Sequence, residues 1–377
     1  MTVYLQMGHA SDGLIGSPHM DRYTGAILSP VNYIEADMAS HVARFSRSGV
    51  STIFDPQLYY PNSERGKLPD WSYYPKDFDT ADFSSRAWWQ RVAGNLVDTA
   101  TRLNVSALAT PAVVPRMYTD DYYAQTLLVA NDCASRLGAA RIDPVLTLLC
   151  KLDDLAEPRR AEMIASIASG GNIDRVLLVF VAEVPPRSEF ADTEGLKGGM
   201  RLITALKQAG SYVLVGFSSS DVLLWKHAGA DGCATGKFFN LRRFTRSRFD
   251  PPAEGGGQLP YWFEEGLIAF LRESDILRVR REGLLSPVST ANPFAAPILE
   301  AITSRPPGKW LSLSWRFYLH WFADLEQRCG AGAVDAASAL RKADVTWSEL
   351  DKRGILMEER RNDGAWVRAW RRAIAEL

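Results

Sequence analysis

The stretch RVLLVFVA at residues 175–182 is continuously apolar, in a chain that alternates strand-like and helix-like runs almost from its start. A strand without a polar face has to be covered on both sides, as strands in parallel sheets flanked by helices are. The rhythm repeats along the chain. Strand-like segments lie at residues 2–7, 51–54, 106–114, 143–150, 175–182, 212–217 and 232–237. Helical patterns at 34–47, 84–103, 119–137, 153–168, 193–208 and 221–228 separate them. Thr119 stands where an N-cap belongs, and Gly49, Gly170 and Gly210 stand where helices end. Residues 27–33 are compatible with extended chain, and an eighth strand is expected near 276–280. Such βα units build parallel sheets with right-handed crossovers. Eight of them close into a barrel, whereas five or six form an open doubly wound sheet. No GxGxxG or GxxxxGK[ST] follows an early strand. The expected fold is therefore a (β/α)8 TIM-like barrel, with the open doubly wound sheet as the alternative.

The 377 residues exceed what a barrel of about 250 residues requires. Beyond residue 292 the strands stop, and helical patterns follow at 310–327, 333–342, 347–352 and 365–377. The expected organisation is an α/β barrel over 1–290 and a helical C-terminal subdomain over 291–377. Its tryptophans offer a surface for a protein partner. Cys133, Cys150, Cys233 and Cys329 form no CxxC pair and the five histidines show no HxH or HExxH spacing, so neither metal nor cofactor is expected. Unpaired cysteines and the lack of a signal-like start indicate a cytoplasmic protein. No run approaches the roughly 18 apolar residues that span a bilayer, so no membrane association is expected. Lys plus Arg (43) balances Asp plus Glu (44), which leaves any basic surface local.

One local surface stands out. Residues 229–250 read GADGCATGKFFNLRRFTRSRFD, and Lys237, Arg242, Arg243, Arg246 and Arg248 follow a strand with no acidic residue among them. Arginine forks bind phosphate bidentately, and the interleaved Phe238, Phe239, Phe244 and Phe249 offer stacking platforms. Lys237, Arg242, Arg243 and Arg246 are the expected phosphate-binding group, with Asn240 among them as a further candidate substrate contact; a solvated charged face is the alternative. Barrel strand ends converge on one mouth, bringing Asn32, Asp55, Gln57, Arg116, Lys151, Glu183 and Ser218 towards it. Asp55 and Glu183 are the candidate acid/base pair, since environment separates the pKa values of two carboxyls; each is alternatively a loop anchor. Gln57, Arg116 and Ser218 are candidate substrate contacts, and Ser220 reads as a helix cap. The long aromatic loop at 60–82 reads as a lid.

The stretch 214–243, LVGFSSSDVLLWKHAGADGCATGKFFNLRR, resembles the strand–helix–strand segment late in the barrel of the queuine/archaeosine tRNA-guanine transglycosylases. The matching pieces are Val215-Gly216, Ser220-Asp221-Val222-Leu223, Gly229-Ala230-Asp231 and Arg242. Asp55 parallels the family's early-strand aspartate without its glycines. The family's nucleophilic aspartate falls on Ala234, and its zinc motif of three cysteines and a histidine is absent. The resemblance thus implies a ligand class of base, ribose and phosphate, with no nucleophile carried over. The resulting expectation is a barrel enzyme, transferase of base-exchange type or hydrolase, acting on a nucleic acid, nucleotide or nucleobase-type ligand. Two alternatives stand beside it: a non-catalytic barrel that binds nucleic acid or protein within a larger complex, and an enzyme on a small phosphorylated metabolite.

Overall fold

A computed structural model of the chain describes residues 2–138, 140–250 and 258–377. Eight parallel strands close into a barrel: β1 (Val3–Gln6), β2 (Tyr23–Leu28), β3 (Ser51–Phe54), β4 (Ala107–Ala109), β5 (Asp143–Lys151), β6 (Arg175–Val181), β7 (Tyr212–Val215) and β8 (Gly232–Thr235). Tyr4 and Leu5 of β1 pair with Ala234 and Thr235 of β8 and complete the ring. Closure leaves the barrel itself without an edge strand. Helices α1 (Glu35–Arg47), α2 (Arg86–Leu103), α3 (Asp120–Leu137), α4 (Arg160–Ala168), α5 (Thr193–Gln208) and α6 (Val222–His227) follow β2 to β7 in turn. Thr119 caps α3 as its sequence position requires, its hydroxyl accepting from the Tyr122 N–H at 3.2 Å.

The eighth strand is β2, not the segment at 276–280. Gly25 interrupts the apolar pattern of YTGAIL, and it has to be glycine because a Cβ there would lie 2.5 Å from the Tyr4 ring. Residues 276–280 instead belong to α7 (Glu273–Arg281), where Ile276 and Val279 share one buried helix face and Asp275 accepts the Arg272 N–H at the start. Between β8 and α7 lies a small antiparallel pair, β9 (Trp262–Glu264) and β10 (Ala269–Leu271).

The rest is helical: α8 (Pro287–Ala291), α9 (Ala295–Thr303), α10 (Leu311–Gly330), α11 (Ala336–Lys352) and α12 (Ala365–Ala375). The patterns at 333–342 and 347–352 merge into α11, since Ala343 to Thr346 contain no breaker. α10 lies against the outside of β8, β1 and β2. Glu326 accepts the Cys233 N–H at 3.0 Å, Tyr318 and Thr235 share a hydroxyl contact at 3.0 Å, and Tyr23 donates to the Leu319 carbonyl at 2.8 Å. This is the place of the helix that would follow an eighth barrel strand. α12 docks on the barrel flank, where the Trp370 indole donates to the Phe190 carbonyl at 2.7 Å. Packing is continuous across residue 290, with Leu196, Trp225, Trp262, Phe317 and Trp370 in a single apolar core. Among the described residues, no helix is long and apolar enough to cross a membrane.

Candidate anion site at the barrel mouth

The chain after β8 shapes the mouth. Gly236 must lack a side chain, because a Cβ would meet Leu241 Cβ at 2.5 Å and the Gln6 carbonyl oxygen at 2.7 Å. The loop then folds back over the strand ends through two short 3-10 turns, Phe239–Leu241 and Arg246–Arg248. Phe244 anchors it: its backbone bridges to Val181, and its ring packs 4.9 Å from Tyr59 and 5.3 Å from Phe217. Buried phenylalanines hold the loop down, and the arginines between them point to different places.

A cavity of about 670 Å³ opens at this face. Its walls come from loops after β1, β2, β3, β6 and β8 and from the start of α10. Arg65, Arg187, Lys237, Arg242, Arg248 and Arg361 line it with Phe238, Phe239, Tyr261 and Trp315, and its described lining includes no carboxylate. Glu359 lies behind two of these cations, 3.7 Å from Arg187 and 3.3 Å from Arg361. The others rely chiefly on neutral partners. Lys237 donates to the Ala10 carbonyl at 2.9 Å and lies 4.7 and 4.8 Å from the Phe238 and Trp315 ring centroids. Arg242 donates to the carbonyls of Gly236 and Lys237 at 2.9 and 2.8 Å, with its guanidinium carbon 3.5 Å from the Tyr318 ring centroid. Arg65 donates to the Asp250 carbonyl at 3.2 Å. Burial pulls Arg242 and Arg248 down to about 10, which leaves both charged at neutral pH. Burial also lowers the Lys237 ammonium, against the pull of Asp12. Charge buried without a matching counter-charge is costly, and an anion entering this cavity offsets that cost.

Behind the cavity, Arg248 reaches 3.4 Å from both Gln57 Oε1 and Ser29 Oγ. Gln57 holds Asp55 in turn: its backbone N–H and side-chain amide donate to the carboxylate at 3.1 and 3.3 Å, and the Tyr59 hydroxyl donates at 3.0 Å. Burial pushes the Asp55 carboxyl up to about 6, opposed by these bonds and by the Arg248 charge. Gln57 and Phe217, just past β3 and β7, take left-handed backbone with φ of 52° and 54°. Strain of this kind, about 1–3 kcal/mol per residue, collects at functional sites.

The expected site residues therefore separate. Lys237, Asn240 and Arg242 line the cavity, as does Asn32. Asp55 and Gln57 are buried behind Arg248 and line neither described cavity, so they support a cation from below. Glu183 lies two residues past the end of β6 but is exposed and lines neither cavity, so the Asp55–Glu183 acid/base pair is not assembled there. Arg116 and Arg246 are likewise exposed outside both cavities. Ser218 is buried and donates to the Val215 carbonyl at 3.2 Å. Arg243 turns inward, 3.2 Å from Glu189 and 3.8 Å from Asp221, with its guanidinium carbon 3.7 Å from the Phe190 ring centroid. It is a structural cation. The pairing follows from its surroundings, since burial pushes Asp221 up to about 7 while Arg243 draws it back.

The loop at 60–82 packs down beside the mouth, and Arg65 is its one residue on the described cavity linings. Trp71 donates to the carbonyls of Pro30 and Tyr33 at 3.1 and 3.0 Å, and Tyr73 donates to the Pro56 carbonyl at 2.8 Å. Both rings are buried against Phe54. Sequence reasoning missed Arg65, Arg187, Arg361 and Trp315 as lining residues. They are distant in sequence, and only barrel closure brings them together. Among the described residues no group of three or more His, Cys, Asp or Glu side chains is placed to hold a metal ion.

No protein-family model and no curated protein matches the chain. Among solved structures it is similar to a chitinase from Rhizomucor miehei, at 11% identity over 57% of this chain and 93% of that one, with a TM-score of 0.31. It is also similar to a sugar phosphate isomerase/epimerase from Parabacteroides distasonis, at 11% identity over 68% of this chain and 88% of that one, with a TM-score of 0.34. The barrel assignment stands on the chain's own strand order, and no substrate is carried over from either structure.

Proposed function

We propose that the barrel mouth binds a phosphate ester of the nucleotide or nucleic-acid class. The observation that carries this reading is the cavity wall: six cationic side chains, no carboxylate among the described lining residues, and aromatic rings between the cations. Arginine is the side chain best matched to phosphate, and flat rings beside it accept a base. The position at the carboxyl ends of the strands is where barrels place their ligands. The resemblance to the tRNA-guanine transglycosylases supports the same ligand class. Its segment coincides with β7, α6, β8 and the loop that carries Lys237 and Arg242.

A non-catalytic barrel that holds such a ligand for a partner is the second reading. The observation favouring it is that neither Asp55 nor Glu183 reaches the cavity. Titration calorimetry with inorganic pyrophosphate and with a 5′-phosphorylated RNA 12-mer, between 50 and 300 mM salt, tests the binding claim. Both ligands are expected to bind at low salt, with the RNA affinity falling steeply as salt rises. No heat from either ligand at 50 mM salt contradicts it. Turnover of the bound RNA or of a nucleotide into a new product separates the catalytic reading from the second one.

A further inference from the structure

A smaller cavity of about 200 Å³ adjoins the first, and Arg187, Phe239, Tyr261 and Arg361 border both. We propose that this smaller cavity is the subsite for a planar heterocycle, so that the ligand of the mouth is a nucleotide with its phosphate among the cations and its ring beside α12.

Three observations carry it. The first is the wall. Phe239 packs edge-on to Phe270 at 4.9 Å and to Tyr261 at 5.3 Å, and all three rings border the cavity. The second is an unused donor. Trp366 lines the cavity, and its indole N–H is buried without an acceptor. Leaving such a group unpaired costs more than a made hydrogen bond gains, and a ligand carbonyl or ring nitrogen supplies what it lacks. The third is an acceptor on the same lining. The Glu189 carboxylate receives one bond from Ser220 at 2.6 Å and one from Arg243 at 3.2 Å, which leaves lone pairs on both oxygens. The lining also carries the carboxylates of Glu359 and Asp363. A donor, carboxylate acceptors and flat aromatic rings together suit a ring system that carries N–H groups and an acceptor on its edge. Arg242 links the two spaces: its guanidinium carbon lies 4.8 and 5.2 Å from the Phe239 and Phe270 ring centroids while it faces the larger cavity. Trp366, Glu189 and Phe270 lie outside the segment that resembles the transglycosylases, so this subsite is built by the β6–α5 connection, β10 and α12.

The inference rests on the phosphate reading for the other half of the ligand, and the test keeps the two apart. Calorimetry compares the 5′-monophosphates of adenosine, guanosine, cytidine and uridine with ribose 5-phosphate and inorganic pyrophosphate. The parent protein is measured beside Trp366→Phe, which keeps the ring and removes the donor. Ala365→Trp is the second variant: Ala365 is exposed at the start of α12 and lines the cavity, so the larger ring is expected to fill that space from outside the core. At least one nucleotide is expected to bind tenfold or more tightly than ribose 5-phosphate. Both variants are expected to erase that difference and leave pyrophosphate affinity unchanged. If no nucleotide exceeds ribose 5-phosphate, or the difference survives Ala365→Trp, the subsite is wrong and the phosphate reading stands. If no phosphorylated probe binds, the phosphate reading fails, and the four free nucleosides decide the subsite alone. Binding of any one that Ala365→Trp abolishes upholds it, and binding of none overturns it.

Discussion

Arg243 Nη2 and Glu189 Oε2 meet 3.2 Å apart in the protein interior, while Arg242, one residue earlier, faces the cavity at the barrel mouth. Two adjacent arginines thus have opposite tasks, and alanine substitution separates them. Arg243→Ala strands Glu189 and Asp221 without their cation. Breaking a buried pair from one side costs about 3–5 kcal/mol, so a large drop in melting temperature is expected. Pyrophosphate affinity of the folded fraction should stay within about twofold of the parent. A normal melting temperature with weakened binding reverses the assignment.

Arg242 and Arg248 give the mirror result. Each charge-assisted bond to phosphate is worth about 1.5–3 kcal/mol, so alanine at either position should weaken pyrophosphate binding by roughly tenfold or more. Lysine should restore only part of it, since a point charge does not reproduce a fork. Both side chains are buried and bonded to neutral acceptors, so alanine should also lower the melting temperature, but by less than Arg243→Ala, which strands two buried carboxylates. Calorimetry and thermal unfolding on the same four variants check both halves.

Arg65 extends the same logic to the loop at 60–82. It is half-buried, and its guanidinium donates to the Asp250 carbonyl at 3.2 Å. Arg65→Ala should weaken RNA binding and reduce its salt dependence by about one charge's worth, without a measurable change in unfolding. An unchanged slope of affinity against salt removes Arg65 from the site.

Asp55 yields a pH dependence whose sign is fixed. Burial raises its carboxyl to about 6 from an ordinary value of 3.8. The folded state therefore holds the proton more tightly than the unfolded one. Its contribution to stability is complete below about pH 4 and is lost as pH rises through about 6. Asp55→Asn removes this titration, so its stability relative to the parent should rise between pH 4 and pH 7 by roughly 3 kcal/mol. Asp221 and Glu326, each raised to about 7, titrate in the same window and keep a shallower slope in the variant. Urea unfolding from pH 4 to pH 8 compares the two curves; parallel curves rule Asp55 out as the titrating group.

Much of the barrel was legible because its strands are covered on both faces and show it as unbroken apolar runs, β6 above all. β2 was obscured by Gly25, which is required by the approach of Tyr4 and weakens the local strand signal. The segment at 276–280 misled because Ile276 and Val279 suit a strand by residue type, while their spacing of three places both on one face of α7. Within the site, the loop after β8 was legible as a cation run, but its division was not. Which arginine turns inward depends on Glu189 and Asp221, carried by the chain after β6 and β7, and no local pattern encodes that meeting. Arg187, Arg361 and Trp315 reach the cavity only through the docking of the C-terminal helices and the β6–α5 connection.

The most direct measurement is a pyrophosphate titration of the Arg242→Ala/Arg248→Ala double variant at 50 mM salt, beside the parent and Arg243→Lys. The account expects clear binding by the parent, near-parent binding by Arg243→Lys if it folds, and loss of roughly a hundredfold or more in the double variant. Equal affinity for pyrophosphate in the parent and the double variant, with both proteins folded, contradicts an anion site at the barrel mouth.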